Sequence, residues 1–216
     1  MEPLLHGKYY HLYNRGIDGC DIFRENTNYE YFLNLYERHI NPIAETYAFV
    51  LMKNHFHFLV RIKEKEIDLP GFKNLEGLEK KPYQHFSNLF NAYSKAFNKK
   101  YNRTGSLFEK NLRRKLIDSQ EYLKKVILYI HNNPVHHHFC ERPEDYPWST
   151  YKVCLAFQPT KLKRDIVLGW FDDIGNFKYL HNQKIGVAKI ESFLKIWPSK
   201  TFQSPKTFQV SKTWKV

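Results

Sequence analysis

Hydrophobic and polar positions alternate along residues 55–62, a stretch that reads HFHFLVRI. Successive side chains of a strand point to opposite faces, so this alternation predicts a strand with one apolar face. That face holds Phe56, Phe58, Val60 and Ile62, and the opposite face holds His55, His57, Leu59 and Arg61. Residues 45–53 are apolar on both faces and predict a central strand, which a tight turn at Asn54 would join to the histidine strand.

Apolar residues recur at spacings of three and four in three longer segments, which predicts amphipathic helices. These segments are residues 26–40, 83–101 and 119–133, and Pro134 is expected to stop the third helix. Residues 8–15 and 111–118 predict two further strands, whereas the charged residues 64–82 predict a loop.

The predicted order is strand, helix, strand, strand, helix, strand, helix. Its first six elements match an α+β fold, the ferredoxin-like or RRM-like split βαβ sandwich with an antiparallel sheet. Two helices would then cover the apolar face of the histidine strand, and the third helix would lie over the histidine face. The expected parts of the chain are a domain over residues 1–155, a helical extension over 156–196, with helical patterns near 163–171 and 186–196, and a basic tail over 197–216.

The tail repeats a Lys-Thr-aromatic unit every six residues, at Lys200, Lys206 and Lys212 with Phe202, Phe208 and Trp214. Six is an even number, so in an extended chain the three rings share one side. Two interpretations follow. The tail is either an edge strand that packs its rings on the domain, or an arm that stacks on single-stranded nucleic acid.

The charge of the chain suggests a polyanionic partner. The 216 residues carry a net charge of +12, with 15 tyrosines and 17 phenylalanines as potential stacking surfaces. Residues 99–125 hold nine lysines and arginines against three acidic residues, a net charge of +6. Such a concentration beside the histidine strand favours contacts with phosphates.

The spacing of the cysteines and the lack of long apolar runs both bear on the cellular compartment that is expected for this protein. No run of 18 apolar residues is present, and residues 1–10 lack the apolar stretch of a signal peptide. The three cysteines are widely spaced and fit neither a disulfide framework nor a CxxC zinc site. No membrane contact is expected, and the cytoplasm is the expected location.

Three groups of polar residues are candidates for chemistry. His55 and His57 are either solvent-facing residues of a half-buried strand or a pair of metal ligands, because neutral imidazole commonly binds transition metals. Tyr129 and Asn133 are four apart and therefore neighbours on one helix face. By themselves they fit a boundary tyrosine and a C-terminal cap. The triple HHH at 136–138 fits surface histidines in a loop, or else a further metal-binding feature.

Five segments carry a resemblance to a known family. They are YYHLYNRG, FVLMKNHFHFLV, TGSLFEK, YLKKVILYIHNNPV and YPWSTY, in this order over residues 9–151, and DIVLGWF with its helical sequel extends the match to about 182. In these segments the chain resembles the REP-associated tyrosine transposases, within the single-tyrosine HUH transposases of the insertion-sequence-200 kind. The resemblance implies that residues 1–155 form a catalytic domain.

The resemblance also implies a reaction and its residues. Tyr129 would be the nucleophile that cleaves single-stranded DNA and keeps a 5′-phosphotyrosine. His55, His57 and Asn133 would hold a divalent metal, Mg²⁺ or Mn²⁺, of which histidine suits Mn²⁺ better. Tyr122 is the rival nucleophile, but it lies about 10 Å earlier along the helix axis at 1.5 Å per residue.

The expected partner is single-stranded DNA that folds into a REP-like hairpin. The candidate DNA-binding residues are Arg15, Arg61, Arg103, Lys110, Arg113, Arg114, Lys115 and Lys125. The family includes dimers with shared active sites and monomers, and a monomer is slightly favoured here.

Other classes of protein remain open at this stage. One is a non-catalytic RRM-like module that binds single-stranded nucleic acid through its aromatic sheet. Another is an HUH replication initiator or relaxase, although the 216 residues contain nothing helicase-like. A zinc hydrolase is disfavoured, because no third histidine or carboxylate has a suitable helical spacing.

Overall fold

A four-stranded sheet and six α-helices make up the part of the chain that the computed structural model describes, residues 3–64 and 81–183. The strands are β1 (Tyr9–Arg15), β2 (Ala44–Met52), β3 (His55–Ile62) and β4 (Arg113–Ile117). The helices are α1 (Asn26–His39), α2 (Pro82–Lys100), α3 (Gln120–His136), α4 (Tyr151–Leu155), α5 (Arg164–Trp170) and α6 (Ile174–His181).

The sheet has the strand order β2-β3-β1-β4, and every neighbouring pair is antiparallel. Strand β3 lies between β1 and β2, which is the split βαβ arrangement of a ferredoxin-like fold. The predicted α+β class and its antiparallel sheet are thus confirmed. The turn at Asn54 is confirmed too, since Met52 pairs with His55 in the β2–β3 hairpin.

Helices α1 and α2 cover the apolar face of the sheet. The ring of Tyr36 on α1 stacks on Phe58 with centroids 4.5 Å apart, and Phe90 on α2 stacks on Phe56 at 5.6 Å. Burying these rings removes a large apolar area from water and fixes which face of β3 turns inward. The histidines of β3 are therefore held on the opposite face, under α3.

Helix α3 continues two residues beyond Pro134, so the prediction that this proline stops the helix is wrong. A proline removes its own backbone donor and crowds the carbonyl four residues earlier, yet the last turn still closes because His137 N donates to Asn133 O at 3.1 Å. Asn133 is consequently a buried residue of the last turn and not the C-cap. His136 becomes the last helical residue.

The chain after α3 covers the outer edge of β2. Leu51 N donates to Trp148 O at 2.9 Å, Thr150 N donates to Phe49 O at 3.0 Å, and Lys163 N donates to Thr46 O at 2.9 Å. These bonds satisfy backbone groups that an exposed edge strand would leave open.

Helix α5 matches the helical pattern predicted near 163–171, whereas α6 follows at Ile174–His181. The pattern predicted at 186–196, the tail over 197–216 and most of the predicted loop over 64–82 lie outside the described residues. None of the helices in the described ranges is long and apolar enough to cross a membrane.

Candidate active site

The register of β1 against β3 places three imidazoles on one face of the sheet. His57 is the partner of Tyr13 and His55 is the partner of Arg15, while His11 lies opposite Leu59. His11 and His57 are buried, with 0% and 1% of their surface exposed, and His55 is partly exposed. The face therefore opens to solvent at His55.

The hydrogen bonds of His55 determine which of its nitrogens carries the proton. Asn54 Nδ2 donates to Gly19 O at 3.4 Å, so Asn54 Oδ1 is the atom that lies 2.8 Å from His55 Nδ1. An amide oxygen only accepts, and His55 Nδ1 must therefore be protonated. In a neutral ring this leaves a lone pair on Nε2, which lies 2.9 Å from Asn133 Oδ1.

Burial keeps these rings neutral at physiological pH. It lowers the pKa of His55 to about 3, with a smaller contribution from the charge of His137. It also lowers the pKa of His57 well below its usual value, and that of His11 to about 3. Neutral imidazole is the form that binds a metal ion.

The contact between His55 and Asn133 fits a metal site. The side-chain amide of Asn133 lies 2.9 Å from His55 Nε2, and two adjacent ligands of an octahedral ion are about 3 Å apart when each bond is ~2.1 Å long. The Nδ2 atom of Asn133 is buried and has no hydrogen-bond partner among the described residues, and a half-turn of the amide would let it donate to His55 Nε2. The side chains present are therefore suited to a divalent cation.

In the part of the chain that the structure describes, neither a further imidazole nor a carboxylate joins His55 and His57 in a metal-binding cluster. Within residues 3–64 and 81–183, no three His, Cys, Asp or Glu side chains converge as a metal cluster. The candidate donors are His55, His57 and the amide of Asn133, and a zinc hydrolase site is not formed there. Two nitrogens and one amide oxygen suit Mn²⁺ better than Mg²⁺.

Tyr129 lies against the histidines, one helical turn before Asn133. Its ring meets His57 edge-on with centroids 5.2 Å apart, and it meets His11 in the same way at 6.0 Å. Only 2% of its surface is exposed. Tyr122 lies two turns earlier on α3, and burial raises its pKa to about 12.

The structure adds three histidines that the sequence interpretation did not place at the site. His137 has its ring 5.1 Å from that of His55, and His136 has its ring 6.5 Å from that of Tyr129. Helix α3 runs through Pro134, so the interpretation of the triple as loop surface is wrong for His136, the last helical residue. His137 lies in the turn after the helix and is partly exposed, and His138 is exposed, as that interpretation predicts. Burial lowers the pKa of His136 to about 4.

His11 is the third of these histidines, and a signal for it was present in the sequence. In YYHLYNR the odd-numbered residues Tyr9, His11, Tyr13 and Arg15 share one face of the strand. Strand pairing then decides that this face is the one that holds His57. His11 Nε2 lies 3.0 Å from His57 Nδ1.

Alternation along β4 separates its basic residues. Arg113 and Lys115 pair with Tyr13 and His11, so they lie on the histidine face. Arg114 lies on the opposite face, in the wall of a groove of about 680 Å³ between α2 and residues 105–112.

The other candidate DNA-binding residues lie in several places. Arg15 forms an ion pair with Glu109, which also lies 3.9 Å from Arg113, so both arginines border the site. Arg61 lies at the opposite end of β3 and pairs with Glu45 and Glu64, so the structure does not bring it to the histidines. Arg103 donates to Asn98 and Ser106 in the turn after α2, Lys125 pairs with Glu121 on α3, and Lys110 is exposed on the loop before β4.

Comparison with known proteins shows the fold alone. No protein-family model matches the chain, and no curated protein matches it. A solved structure of a REP-associated tyrosine transposase bound to a REP hairpin superposes with a TM-score of 0.57 at 15% identity, over 74% of this chain and 87% of that one.

Two structures of a bacterial tRNA(His) guanylyltransferase-like protein are more distant. The complex with GTP has a TM-score of 0.39 at 14% identity, over 68% of this chain and 74% of that one. The complex with ATP has a TM-score of 0.40 at 12% identity, over 81% and 75%. The chain thus has the fold of a REP-associated tyrosine transposase.

Proposed function

We propose that the protein is a metal-dependent nickase and strand transferase of single-stranded DNA, with Tyr129 as the nucleophile. The observation that carries this proposal is the contact of His55 Nε2 with Asn133 Oδ1, beside His57 and one turn from Tyr129. An imidazole and a side-chain amide in contact, beside a second histidine and a tyrosine, are the groups that this chemistry requires.

His55, His57 and Asn133 would hold a divalent cation, Mn²⁺ or Mg²⁺. When bound, the cation would supply positive charge to the scissile phosphate. The neutral state of the two imidazoles leaves their lone pairs available at pH 7. Asn133 would place its carbonyl oxygen from the last turn of α3, so that the ligands come from both the strand and the helix.

Tyr129 would attack the phosphorus of a phosphodiester through its phenol oxygen. The phenol loses its proton, an O–P bond forms to the tyrosine, and the bond to the 3′ oxygen breaks. That oxygen takes up a proton and leaves as a 3′-hydroxyl, while the 5′-phosphate stays on the protein. The number of phosphoester bonds is unchanged, so a later 3′-hydroxyl can reseal the strand without ATP. A phenol suits both steps because its pKa of ~10 is below that of an alcohol.

Access to the nucleophile requires local opening. Tyr129 is only 2% exposed, and its ring lies between α3 and the sheet. The partly exposed residues His55 and His137 mark the side from which a phosphate would approach.

The proposed substrate is single-stranded DNA that folds into a hairpin. The superposed transposase structure is bound to a REP hairpin. In this chain Arg113 and Lys115 extend the histidine face toward the sheet edge, where they would contact phosphates. Tyr129 contacts His57 of its own chain, which supports a complete site in one monomer and not an active site shared between two chains.

A non-catalytic module for single-stranded nucleic acid is the second candidate. The burial of Tyr129 favours it, because a tyrosine that only packs needs no access to DNA. Such a module would bind a hairpin without metal and without covalent attachment.

Covalent capture separates the two candidates. A labelled hairpin oligonucleotide with unpaired flanks is incubated with the protein and Mn²⁺ or Mg²⁺, and a denaturing gel reports the protein–DNA adduct. The wild type should form the adduct with single strands and not with a blunt duplex. Tyr129→Phe should abolish it, because only the attacking oxygen is removed, and its affinity for the hairpin should stay within about twofold.

Tyr122→Phe is the matched control on the same helix and should form the adduct nearly normally. An adduct that survives Tyr129→Phe and disappears with Tyr122→Phe would show that Tyr122 is the nucleophile and that Tyr129 is not. A wild type that binds the hairpin but forms no adduct, with either metal and with the hairpins that flank its own gene, would support the binding module.

A further inference from the structure

His11 lies in the middle of β1 with its side chain wholly buried. Its Nε2 atom lies 3.0 Å from His57 Nδ1, and its Nδ1 atom is buried without a hydrogen-bond partner in the described ranges. Its ring also stacks on Tyr13 and meets Tyr129 edge-on. A phenylalanine would fill the same space and would bury no polar atom, so packing alone does not account for an imidazole here.

The contact between His11 and His57 holds one proton, because both rings are neutral. If His57 Nδ1–H donates to His11 Nε2, the Nε2 atom of His57 carries a lone pair and can bind a cation. If His11 Nε2–H donates instead, His57 is protonated at Nε2 and cannot bind one. Whatever fixes this proton decides whether His57 is a ligand.

Asn54 makes the equivalent contact to His55. Its side-chain oxygen lies 2.8 Å from His55 Nδ1, which holds the proton there and leaves His55 Nε2 facing Asn133. Both histidines of β3 therefore have their Nδ1 atoms bound by a neighbour, and both could present Nε2 to one cation. A ligand histidine commonly donates its other N–H to a carbonyl or carboxylate, which fixes its tautomer and orientation.

We infer that His11 is a positioning residue, which holds His57 in the Nδ1–H tautomer and aims its Nε2 lone pair into the site. The inference rests on the proposed function in so far as a cation is the group that His57 would bind. His11 itself touches neither cation nor DNA. It acts through His57 and, unlike the oxygen of Asn54, its Nε2 atom accepts only when the proton of His11 lies on Nδ1.

Two variants of His11 test this role. In His11→Gln the amide oxygen reaches about as far as Nε2 and can accept from His57 Nδ1–H, whereas His11→Phe keeps the volume and removes the acceptor. Calorimetric titration with Mn²⁺ should give an affinity within about threefold of the wild type for His11→Gln. For His11→Phe it should be 10- to 100-fold weaker, as for other lost partners of metal ligands. His131→Gln removes a buried imidazole elsewhere on α3 and should leave Mn²⁺ affinity unchanged.

Nitrogen NMR of the imidazoles without metal gives a second readout, independent of binding. His57 should be Nδ1–H in the wild type and in His11→Gln, and should become largely Nε2–H in His11→Phe. A wild-type His57 that is Nε2–H, or a His11→Phe protein that binds Mn²⁺ as tightly as the wild type, would overturn the inference.

The two readouts also separate this inference from the proposed function. A wild type that binds no Mn²⁺, but whose His57 loses the Nδ1–H tautomer in His11→Phe, would contradict the proposed function and support the positioning role. If His11→Phe does not fold, His11→Gln and the wild-type tautomer still decide the question.

Discussion

At the scale of single residues, the site depends on which imidazole nitrogens carry no proton and therefore keep a lone pair for a metal ion. Asn54 Oδ1 holds the proton of His55 on Nδ1, and the bare Nε2 atom then faces the carbonyl oxygen of Asn133. Without a cation, a half-turn of the Asn133 amide would let its Nδ2 atom donate to His55 Nε2. With a cation, His55 Nε2 and the carbonyl oxygen of Asn133 would both bind it, which would select the amide orientation seen here.

Substitutions of Asn133 should change metal affinity in opposite directions. Asn133→Ala removes an oxygen ligand and should weaken Mn²⁺ binding by about tenfold, whereas Asn133→Asp supplies a charged oxygen and should strengthen it by a similar factor. Titration calorimetry with Mn²⁺ measures both.

Asn132→Ala is the matched control for this series. Asn132 is also a buried amide of α3, but its Nδ2 donates to Leu128 O at 3.0 Å, so this side chain is engaged with the helix backbone and not with His55. It should leave Mn²⁺ affinity unaltered. Equal losses in Asn132→Ala and Asn133→Ala would indicate damage to the helix and not loss of a ligand.

At the scale of elements, helix α3 and strand β4 decide what reaches the histidine face. The last turn of α3 places Asn133 beside His55, and the turn that follows the helix places His137 there as well. Strand β4 lies at the sheet edge next to β1, and its alternation sends Arg113 and Lys115 to one face and Arg114 to the other. A run of basic residues in sequence is thus divided between two surfaces.

Replacing the basic residues of β4 should affect DNA binding according to their face. Arg113→Ala with Lys115→Ala should weaken hairpin binding and lower the slope of log affinity against log salt by about 2, one for each lost phosphate contact. Arg114→Ala, on the opposite face of the same strand, should leave that slope unchanged. Fluorescence anisotropy with a hairpin at several salt concentrations measures this. A larger change of slope for Arg114→Ala would place the DNA in the groove beside α2.

Removal of the basic tail is a second prediction at this scale. Residues 197–216 combine in-phase aromatic residues with lysines and no acidic residue. A protein truncated after residue 196 should bind the hairpin more weakly and keep its melting temperature and Mn²⁺ affinity. A drop in melting temperature of more than a few degrees would show that the tail packs on the domain.

At the scale of the whole molecule, a second pair of buried histidines joins α3 to α6. His181 Nδ1–H donates to Phe177 O at 2.7 Å, and His131 Nδ1–H donates to His181 Nε2 at 2.9 Å. The hydroxyl of Thr150 lies 2.9 Å from His131 Nε2 and completes the chain. Helix α6 is therefore held to α3 by neutral imidazoles. Burial lowers the pKa of His181 to about 4 and that of His131 well below its usual value.

These lowered pKa values predict a loss of stability in acid. Below pH ~6.5 the unfolded chain binds protons on both histidines while the folded chain does not, so the free energy of unfolding falls from pH ~6.5 toward pH ~4. Each group contributes at most about 1.4 kcal/mol per pH unit. From pH 7 to 9 the two histidines should have no effect. Urea unfolding at pH 7.5, 6 and 5 measures the trend.

His181→Gln provides the comparison for this trend. Its side-chain oxygen can still accept from His131 Nδ1–H, but one titrating group is gone, so its stability should fall less steeply with acid than that of the wild type. Parallel slopes for the two proteins would show that other groups cause the acid sensitivity.

The sequence by itself determined the order of the first seven elements and the separation of the two faces of β3. Hydrophobic periodicity carries this information, because each strand or helix must bury its own apolar side whatever its neighbours are. The neighbourhood of Tyr129 and Asn133 also followed from helical spacing, since both residues lie on one continuous helix. These predictions needed no knowledge of contacts between distant parts of the chain.

Only the tertiary structure decided which polar groups share the site. His11 and His57 are 46 residues apart, and strand register alone brings them within 3.0 Å. Arg61 shares a face with His55 but lies at the far end of β3 beside Glu45 and Glu64. Local propensity predicts that Pro134 ends α3, but the last turn still closes through the bond from His137 N to Asn133 O. These outcomes depend on contacts between residues that are far apart in sequence, and the local hydrophobic pattern does not specify such contacts.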